Sequence, residues 1–542
     1  MTYLTGGRAL VEMLHRHGID TLFGLPGYQS DHFFNALYDA KGTPSEIRVL
    51  QTRHEQGAAY MAHGYAKATG RVGAFSVVPG PGMLNATAAL STGYATNAKM
   101  LCIAGQIPSG LIGRGFGFLH ELPDSMGILR GVTKWAMRVE HPTEIPAAVD
   151  EAFRQMNTGR PRPVALEVPM DVLAAATEIA LTDAPSSYPV QPPAPRAIQQ
   201  AAELLGKAQH PLILVGSGAD DAGPELLALA EMLQAPVIAN SSGKGVLSDK
   251  HYLSLPGPGG NRLWAQADVV LAVGTRAQQP LQQWGSGGLK LIRIDIDPVE
   301  LRRIMPPTVG LVSDAKASLS ALVAAVPAYN SPRASRHGEM MALKEELDEA
   351  FAQVRPQYDY VRSIRAALPE DGVYIEDLTQ VGYASRYMMQ SYGPRRHITS
   401  GYQGTLGHGF ASALGAKVAQ PDKAVLCVNG DGGFMYNVQE LATAVQHQIG
   451  LVTIVFSDNA FGNVQRMQKQ DHGGRVIGSD LHNPEFAKMA ETFGATGVLV
   501  TGPADLEPAL REAFARSGPT IIEVRVGEMA EPWRHILMPK VR

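Results

Sequence analysis

The chain has 542 residues, and at roughly 150 residues per domain it is too long for a single hydrophobic core. Hydrophobic residues make up 45% and charged residues 18%, a balance that excludes charge-driven disorder. A formal charge of −4 with no Lys/Arg-rich run excludes the electrostatic footprint of a nucleic-acid binder.

The first twenty residues place Arg8, Glu12, His15 and Arg16 among apolar side chains, which predicts an amphipathic helix rather than a signal sequence. No window approaches 18 uncharged apolar residues, so no membrane span is expected. Cys102 and Cys427 are the only cysteines and do not form a secreted disulfide framework, which makes a cytoplasmic location the expectation. Residues 53–66 read as a helix with Glu55 in its first turn, where an acid complements the helix dipole.

The stretch from Pro185 through Pro189, Pro192 and Pro193 to Pro195 predicts a linker at 185–196. Beyond it, β-rich runs at 212–215, 237–239, 269–273 and 291–296 alternate with helical patterns. Pro327, Asn330, Ser331 and Pro332 interrupt them, predicting a second linker at 327–340. Further runs follow at 425–428, 451–456 and 520–526. The alternation predicts an α/β protein of three doubly wound parallel-sheet domains, at 1–184, 197–326 and 341–542. Pro163-Val164-Ala165-Leu166-Glu167-Val168 echoes Pro519-Thr520-Ile521-Ile522-Glu523-Val524, so the first and third domains are expected to be alike.

After the run 425–428 come Asn429-Gly430-Asp431-Gly432-Gly433-Phe434 and then a helical stretch at 438–447. Glycines at a strand end let backbone approach a ligand closely, and amides opening a helix attract phosphate. A bare carboxylate beside phosphate repels it unless a divalent cation lies between them. The next run ends in Ser457-Asp458-Asn459-Ala460-Phe461-Gly462. Neighbouring parallel strands put both loops on one carboxyl edge, so Asp431 and Asp458 can share one ion. On residue type alone, two turn-forming acids explain the pattern as well.

In combination the motifs resemble the thiamine-diphosphate-dependent enzymes of the acetolactate synthase, pyruvate oxidase and benzaldehyde lyase group, and the resemblance covers nearly the whole chain. It implies thiamine diphosphate and Mg²⁺ as cofactors. Asp431 would then be a metal ligand, with Gly430, Gly432 and Gly433 lining the diphosphate. Asp458 stands, by alignment through Phe461 and Gly462, where the family carries a metal-ligand Asn; Asn459 is a rival, and Ala460 would supply a main-chain oxygen. Asp377-Leu378-Thr379-Gln380 looks like the family's Asp-Val-Gly-Gln element, so Asp377 and Gln380 are cofactor candidates, with Gln380 touching the diphosphate. Gly401-Tyr402-Gln403-Gly404-Thr405-Leu406-Gly407 resembles a loop whose bulky residue, here Leu406, wedges between the cofactor's rings. Read alone, Leu406 is a core residue.

The same resemblance gives Glu55, in Arg53-His54-Glu55-Gln56-Gly57-Ala58, the role of facing the aminopyrimidine from a partner subunit. A carboxyl group largely removed from water can share a proton with that ring and favour formation of the C2 ylid, from which an enamine intermediate follows. Pro79-Gly80-Pro81-Gly82, followed by Asn85, is similar to a Ser-Gly-Pro-Gly loop of that domain. Sites built between subunits imply at least a homodimer, with a homotetramer expected.

Phe23-Gly24-Leu25-Pro26-Gly27-Tyr28-Gln29 matches a loop that overlies the reactive carbon, making Tyr28 and Gln29 candidate substrate contacts, with loop packing and solvent exposure as the alternatives. Gln29 stands where benzaldehyde lyase has a His. His120 stands where acetolactate synthases and benzaldehyde lyase have a Gln; an imidazole there could move protons, and a purely structural His is the equal alternative. Met467 replaces the pocket Trp of acetohydroxyacid synthases, and Val78 replaces a catalytic His of benzoylformate decarboxylase. The middle segment resembles a Rossmann-like domain that holds flavin in some members. Its flavin elements appear here as Pro258-Gly259-Gly260-Asn261-Arg262 and Gly274-Thr275-Arg276-Ala277-Gln278, so FAD is possible but not favoured. The implied activity is acetolactate-synthase-like carboligation of a 2-keto acid. Decarboxylation or benzaldehyde-lyase-like C–C lysis is the alternative, and a silent cofactor-binding subunit is the non-enzyme reading.

Overall fold

A computed structural model describes residues 1–542. Three six-stranded parallel sheets organise the chain, with helices between successive strands. The first sheet contains Thr21–Gly24, Arg48–Gln51, Gly73–Val77, Met100–Gln106, Trp135–Arg138 and Val164–Pro169; numbered in chain order, they lie side by side as 2-1-3-4-6-5. The third contains Val373–Glu376, His397–Ile398, Val425–Gly430, Val452–Ser457, Thr496–Val500 and Thr520–Arg525, in the same 2-1-3-4-6-5 order. The expected likeness of the outer domains is therefore a shared topology. The echoing segments are the sixth strand of each sheet, and in both the glutamate is buried against an arginine: Glu167 accepts from Arg138 Nε at 2.5 Å, and Glu523 from Arg525 Nε at 2.8 Å.

The middle sheet, from Pro211–Val215 to Val309–Val312, runs 3-2-1-4-5-6, the doubly wound order of dinucleotide-binding folds. Its central strands, Pro211–Val215 and Val269–Val273, are buried at every position, which is why they read as continuous apolar runs rather than alternating ones.

The opening segment differs from the expected single helix. Thr2–Thr5 forms an edge strand antiparallel to Ala176–Ile179, and the helix begins only at Gly6. The β-branched threonines favour the strand, and the Thr5 hydroxyl then caps the helix by accepting from Arg8 N at 3.1 Å. No helix is long and apolar enough to cross a membrane. Residues 180–194 form no helix or strand, and Pro195 opens the helix Pro195–Lys207. The helix His337–Phe351 buries Met340, Leu343, Leu347 and Phe351 in the middle domain's core, so packing crosses the boundary drawn at 341.

The outer domains meet through helix Glu55–Thr69, which crosses Gly409–Ala419 at close range. A Cβ on Gly64 would collide with the Ser412 carbonyl, and one on Gly415 with the Met61 carbonyl. One continuous core spans both domains, running from Phe23 and Phe75 to Phe410 and Phe434.

Candidate active site

In a 2-1-3 sheet the order reverses between strands 1 and 3, and ligands bind beyond the carboxyl ends there. In the third sheet those ends deliver Gln380, after Val373–Glu376, and Gly430 with Asp431, after Val425–Gly430. Between them lies a cavity of about 220 Å³ that also gathers Leu406, Gly432, Gly433, Asp458, Ala460, Phe461 and Gly462. Ten of the sequence candidates thus line one pocket. A Cβ on Gly432 would run into the Phe461 ring, so glycine is what allows backbone to form the wall. Gln380 Oε1 is buried and has no partner, an amide left free for a ligand.

Asp431 is 2% exposed and ends the strand in a short helical turn, Asp431–Phe434. Its Oδ1 accepts from Gly432 N at 2.7 Å; its Oδ2 accepts from Asn459 N and from Asn483 Nδ2, both at 2.8 Å. Burial nonetheless raises its pKa. Burial, and next the Asp431 carboxylate, push Asp458 up to about 6. Two carboxylates that disfavour each other's charge in a pocket wall are what a divalent cation would relieve. Asp458 lines the cavity whereas Asn459 does not; Asn459 has an exposed side chain that accepts from Asn483 Nδ2 at 3.3 Å. Asn483 lies far along the chain, and no motif pointed to it.

Asp377 and Gly404 stand outside the cavity. Asp377, 1% exposed, accepts from Leu378 N at 2.6 Å, Gly407 N at 3.2 Å and Gly409 N at 3.0 Å. It ties down the loop that carries Leu406 through the Gly407 and Gly409 amides. Gly404 is exposed, with φ +59.

The remaining candidates collect at the matching switch point of the first sheet. Glu55 opens helix Glu55–Thr69 behind an N-cap by His54, whose Nδ1 accepts from Gln56 N at 3.1 Å. Its Oε2 accepts from Asn85 Nδ2 at 3.0 Å. A Cβ on Gly82 would lie 3.3 Å from Glu55 Oε1 and also against Val78. Pro79 and Gly80 are buried beside this group, and Gln29 is fully buried while its neighbour Tyr28 is 52% exposed. Gln29 Oε1 lies 2.9 Å from His120 Nδ1. No residue of this cluster lines the Asp431 cavity.

A buried acid that the motifs did not flag links the two halves. Glu440, from helix Glu440–Gln446, accepts from the backbone N–H of Arg53 and of His54, both at 3.0 Å, and from Thr443 Oγ1 at 2.6 Å. Burial raises its pKa.

A larger cavity, about 590 Å³, opens at the switch point of the middle sheet between Gly218 and Thr275. At its rim Arg160, from the first domain, meets Asp295, Asp297 and Glu300 at 3.0, 3.2 and 3.0 Å.

Residues 4–128, 198–322 and 377–524 match, respectively, the N-terminal TPP binding, central and C-terminal TPP binding domains of thiamine pyrophosphate enzymes. A probable 2-ketoarginine decarboxylase of Pseudomonas aeruginosa is 36% identical over 543 residues, covering 96% of this chain and 94% of its own. A probable acetolactate synthase large subunit of Methanocaldococcus jannaschii is 32% identical, covering 96% of this chain and 92% of its own. Acetolactate synthase isozyme 1 large subunit of Escherichia coli is 31% identical, covering 96% and 94%.

Proposed function

The chain belongs to the thiamine pyrophosphate enzyme family, and on that premise we propose that it decarboxylates a 2-keto acid and joins the remaining fragment to a second carbonyl compound, as an acetolactate synthase does. The observation that carries this reading is the glycine-walled cavity in which two mutually disfavoured carboxylates, Asp431 and Asp458, face an unpartnered Gln380 amide. That donor set fits a diphosphate bridged by Mg²⁺: Asp431, Asp458 and the Ala460 carbonyl would hold the metal, and Gln380 with the Gly430–Gly433 backbone the phosphates. When bound, thiamine diphosphate supplies a carbon nucleophile and an electron sink for the departing carboxylate.

The protein's own part is positioning and proton transfer. Asn85 orients the Glu55 carboxylate, which would exchange a proton with the aminopyrimidine ring. Leu406, held by the loop that Asp377 anchors, would prop the rings apart. Because Glu55 is absent from the cavity wall of its own chain, a second copy would provide it, making a homodimer the smallest active unit. We assign no flavin to the cycle, and the purified protein is expected to lack flavin absorbance.

A second reading, decarboxylation ending in protonation, is favoured by the His120 imidazole beside the Glu55 cluster and by the 36% identical relative being a probable 2-ketoarginine decarboxylase. The test is circular dichroism of the aminopyrimidine on adding cofactor and Mg²⁺, followed by a 2-keto acid screen with product analysis. Ligation products support the first reading and simple aldehydes the second. Absence of any dichroic signal refutes both.

A further inference from the structure

Gln29 lies in the turn Tyr28–Ser30 that follows the first strand of the first sheet, and it is fully buried. Its Nε2 sits 2.7 Å from the carbonyl oxygen of Leu119. A carbonyl only accepts, so the amide nitrogen must face Leu119 and the amide oxygen must face the opposite way. That oxygen is 2.9 Å from Nδ1 of His120, and it too can only accept. The hydrogen between them therefore belongs to Nδ1.

We propose that Gln29 fixes His120 as the Nδ1–H tautomer, leaving Nε2 as an unprotonated nitrogen without a protein partner, so that His120 serves as a proton acceptor for the substrate. The catalytic meaning rests on the proposed function; the tautomer does not. Nε2 has no hydrogen-bond partner within the protein, and Nδ1 makes the ring's one bond. The other neutral tautomer would set the Nδ1 lone pair against the Gln29 oxygen, while a histidine side chain free in water prefers that other tautomer. Protonation at Nε2 leaves the Nδ1–H bond intact. When a substrate hydroxyl yields its proton, the O–H bond breaks, an Nε2–H bond forms, and the imidazolium keeps its hydrogen bond to Gln29. Return of the proton reverses each change.

The backbone holds the ring in place. His120 has φ +70, a conformation that few non-glycine residues adopt. Its Cα and carbonyl press on Gly80, where an added Cβ would meet them at 3.0 and 2.8 Å. Gly80 is the N-cap of helix Pro81–Thr96, whose first turn holds Gly82 against Glu55, so the imidazole stands in the group that would receive the cofactor's ring.

The experiment is ring-nitrogen ¹⁵N spectroscopy of histidine-labelled holoenzyme with thiamine diphosphate and Mg²⁺, the His120 signals being identified by their loss in His120→Gln. In the wild type the Nδ1–H form should exceed the Nε2–H form by about tenfold, the weight of one ordinary hydrogen bond. Gln29→Met should abolish the preference. A wild-type spectrum dominated by Nε2–H, or an unchanged ratio in Gln29→Met, overturns the assignment. Dichroism on the same samples reports cofactor binding, so failure of the proposed function registers separately. A changed tautomer with an unchanged product distribution would remove the proton-acceptor role.

Discussion

The Glu440 carboxylate accepts the backbone N–H of His54 at 3.0 Å, so the third domain grips the residue immediately before Glu55. The contact fixes where helix Glu55–Thr69 begins and with it the direction of the Glu55 side chain. Glu440→Ala would strand two partly buried amides and should cost about 1–3 kcal/mol of stability, read as a lowered denaturation midpoint. Glu440→Gln keeps one accepting oxygen for the His54 amide and should cost less than Glu440→Ala. Equal losses in the two variants would show that the amides are not what Glu440 serves.

Glu55→Gln should abolish turnover while leaving diphosphate affinity nearly unchanged, because Glu55 lies outside the cavity formed around Asp431. Near-wild-type turnover would refute its role. Co-assembly offers a sharper test. If each site combines Glu55 of one copy with Asp431 of another, subunits carrying Glu55→Gln mixed with subunits carrying Asp431→Asn should regain about a quarter of the intact sites. A mixture as inactive as its components would place both residues in one chain's site.

The two carboxylates should differ under metal titration. Asp431→Asn is expected to weaken Mg²⁺ binding by about a hundredfold or more, since every other contact of that side chain is with an amide or hydroxyl of the pocket. Asp458→Asn keeps an oxygen and removes the charge that Asp431 disfavours, so its affinity should fall by less than about tenfold. Calorimetry with Mg²⁺ and cofactor measures both.

Acid stability should depend on Glu376. Burial alone would raise its pKa, but Arg386, at 2.7 Å, and His397, at 3.0 Å, outweigh that and hold it down to about 2. A carboxylate whose folded pKa lies below its unfolded value contributes stability that is fully present above the unfolded value of about 4.3 and disappears as pH falls through the folded one. Glu376→Gln should therefore destabilise the protein at neutral pH and flatten the loss of stability between about pH 4 and 2. Parallel pH profiles for variant and wild type would contradict the ion pair's contribution.

The cofactor-side pocket was legible because its residues are contiguous in short motifs: Gly430 to Gly433 and Asp458 to Gly462 each arrive on one strand end, and strand order does the rest. Asn483 and Glu440 were not, because an isolated amide or acid within a loop or helix carries no local signal until the fold brings it to Asp431 or to the His54 amide. Asp377 shows the opposite limit. Its motif was recognisable, yet only coordinates show its oxygens turned to the Gly407 and Gly409 amides. Gln29 and His120 were each singled out, but 91 residues of separation hid their hydrogen bond. The opening strand was missed because four residues pairing with Ala176–Ile179 leave no periodicity of their own.

The crossing at Gly64 and Gly415 leaves no gap between helices for even one methyl group. Two sheets joined that tightly cannot shear or hinge against each other, so breathing motions that admit a reactant must arise elsewhere. The segment from Gly113 to Gly117 is held differently: Gly113, Gly115 and Gly117 all have positive φ, Phe116 between them is 70% exposed, and the Gly115 and Gly117 amides are held by the nearby Glu121 carboxylate rather than by a packed core. Access would then be governed by a short glycine-jointed flap ending at His120, moving over a platform that stays still.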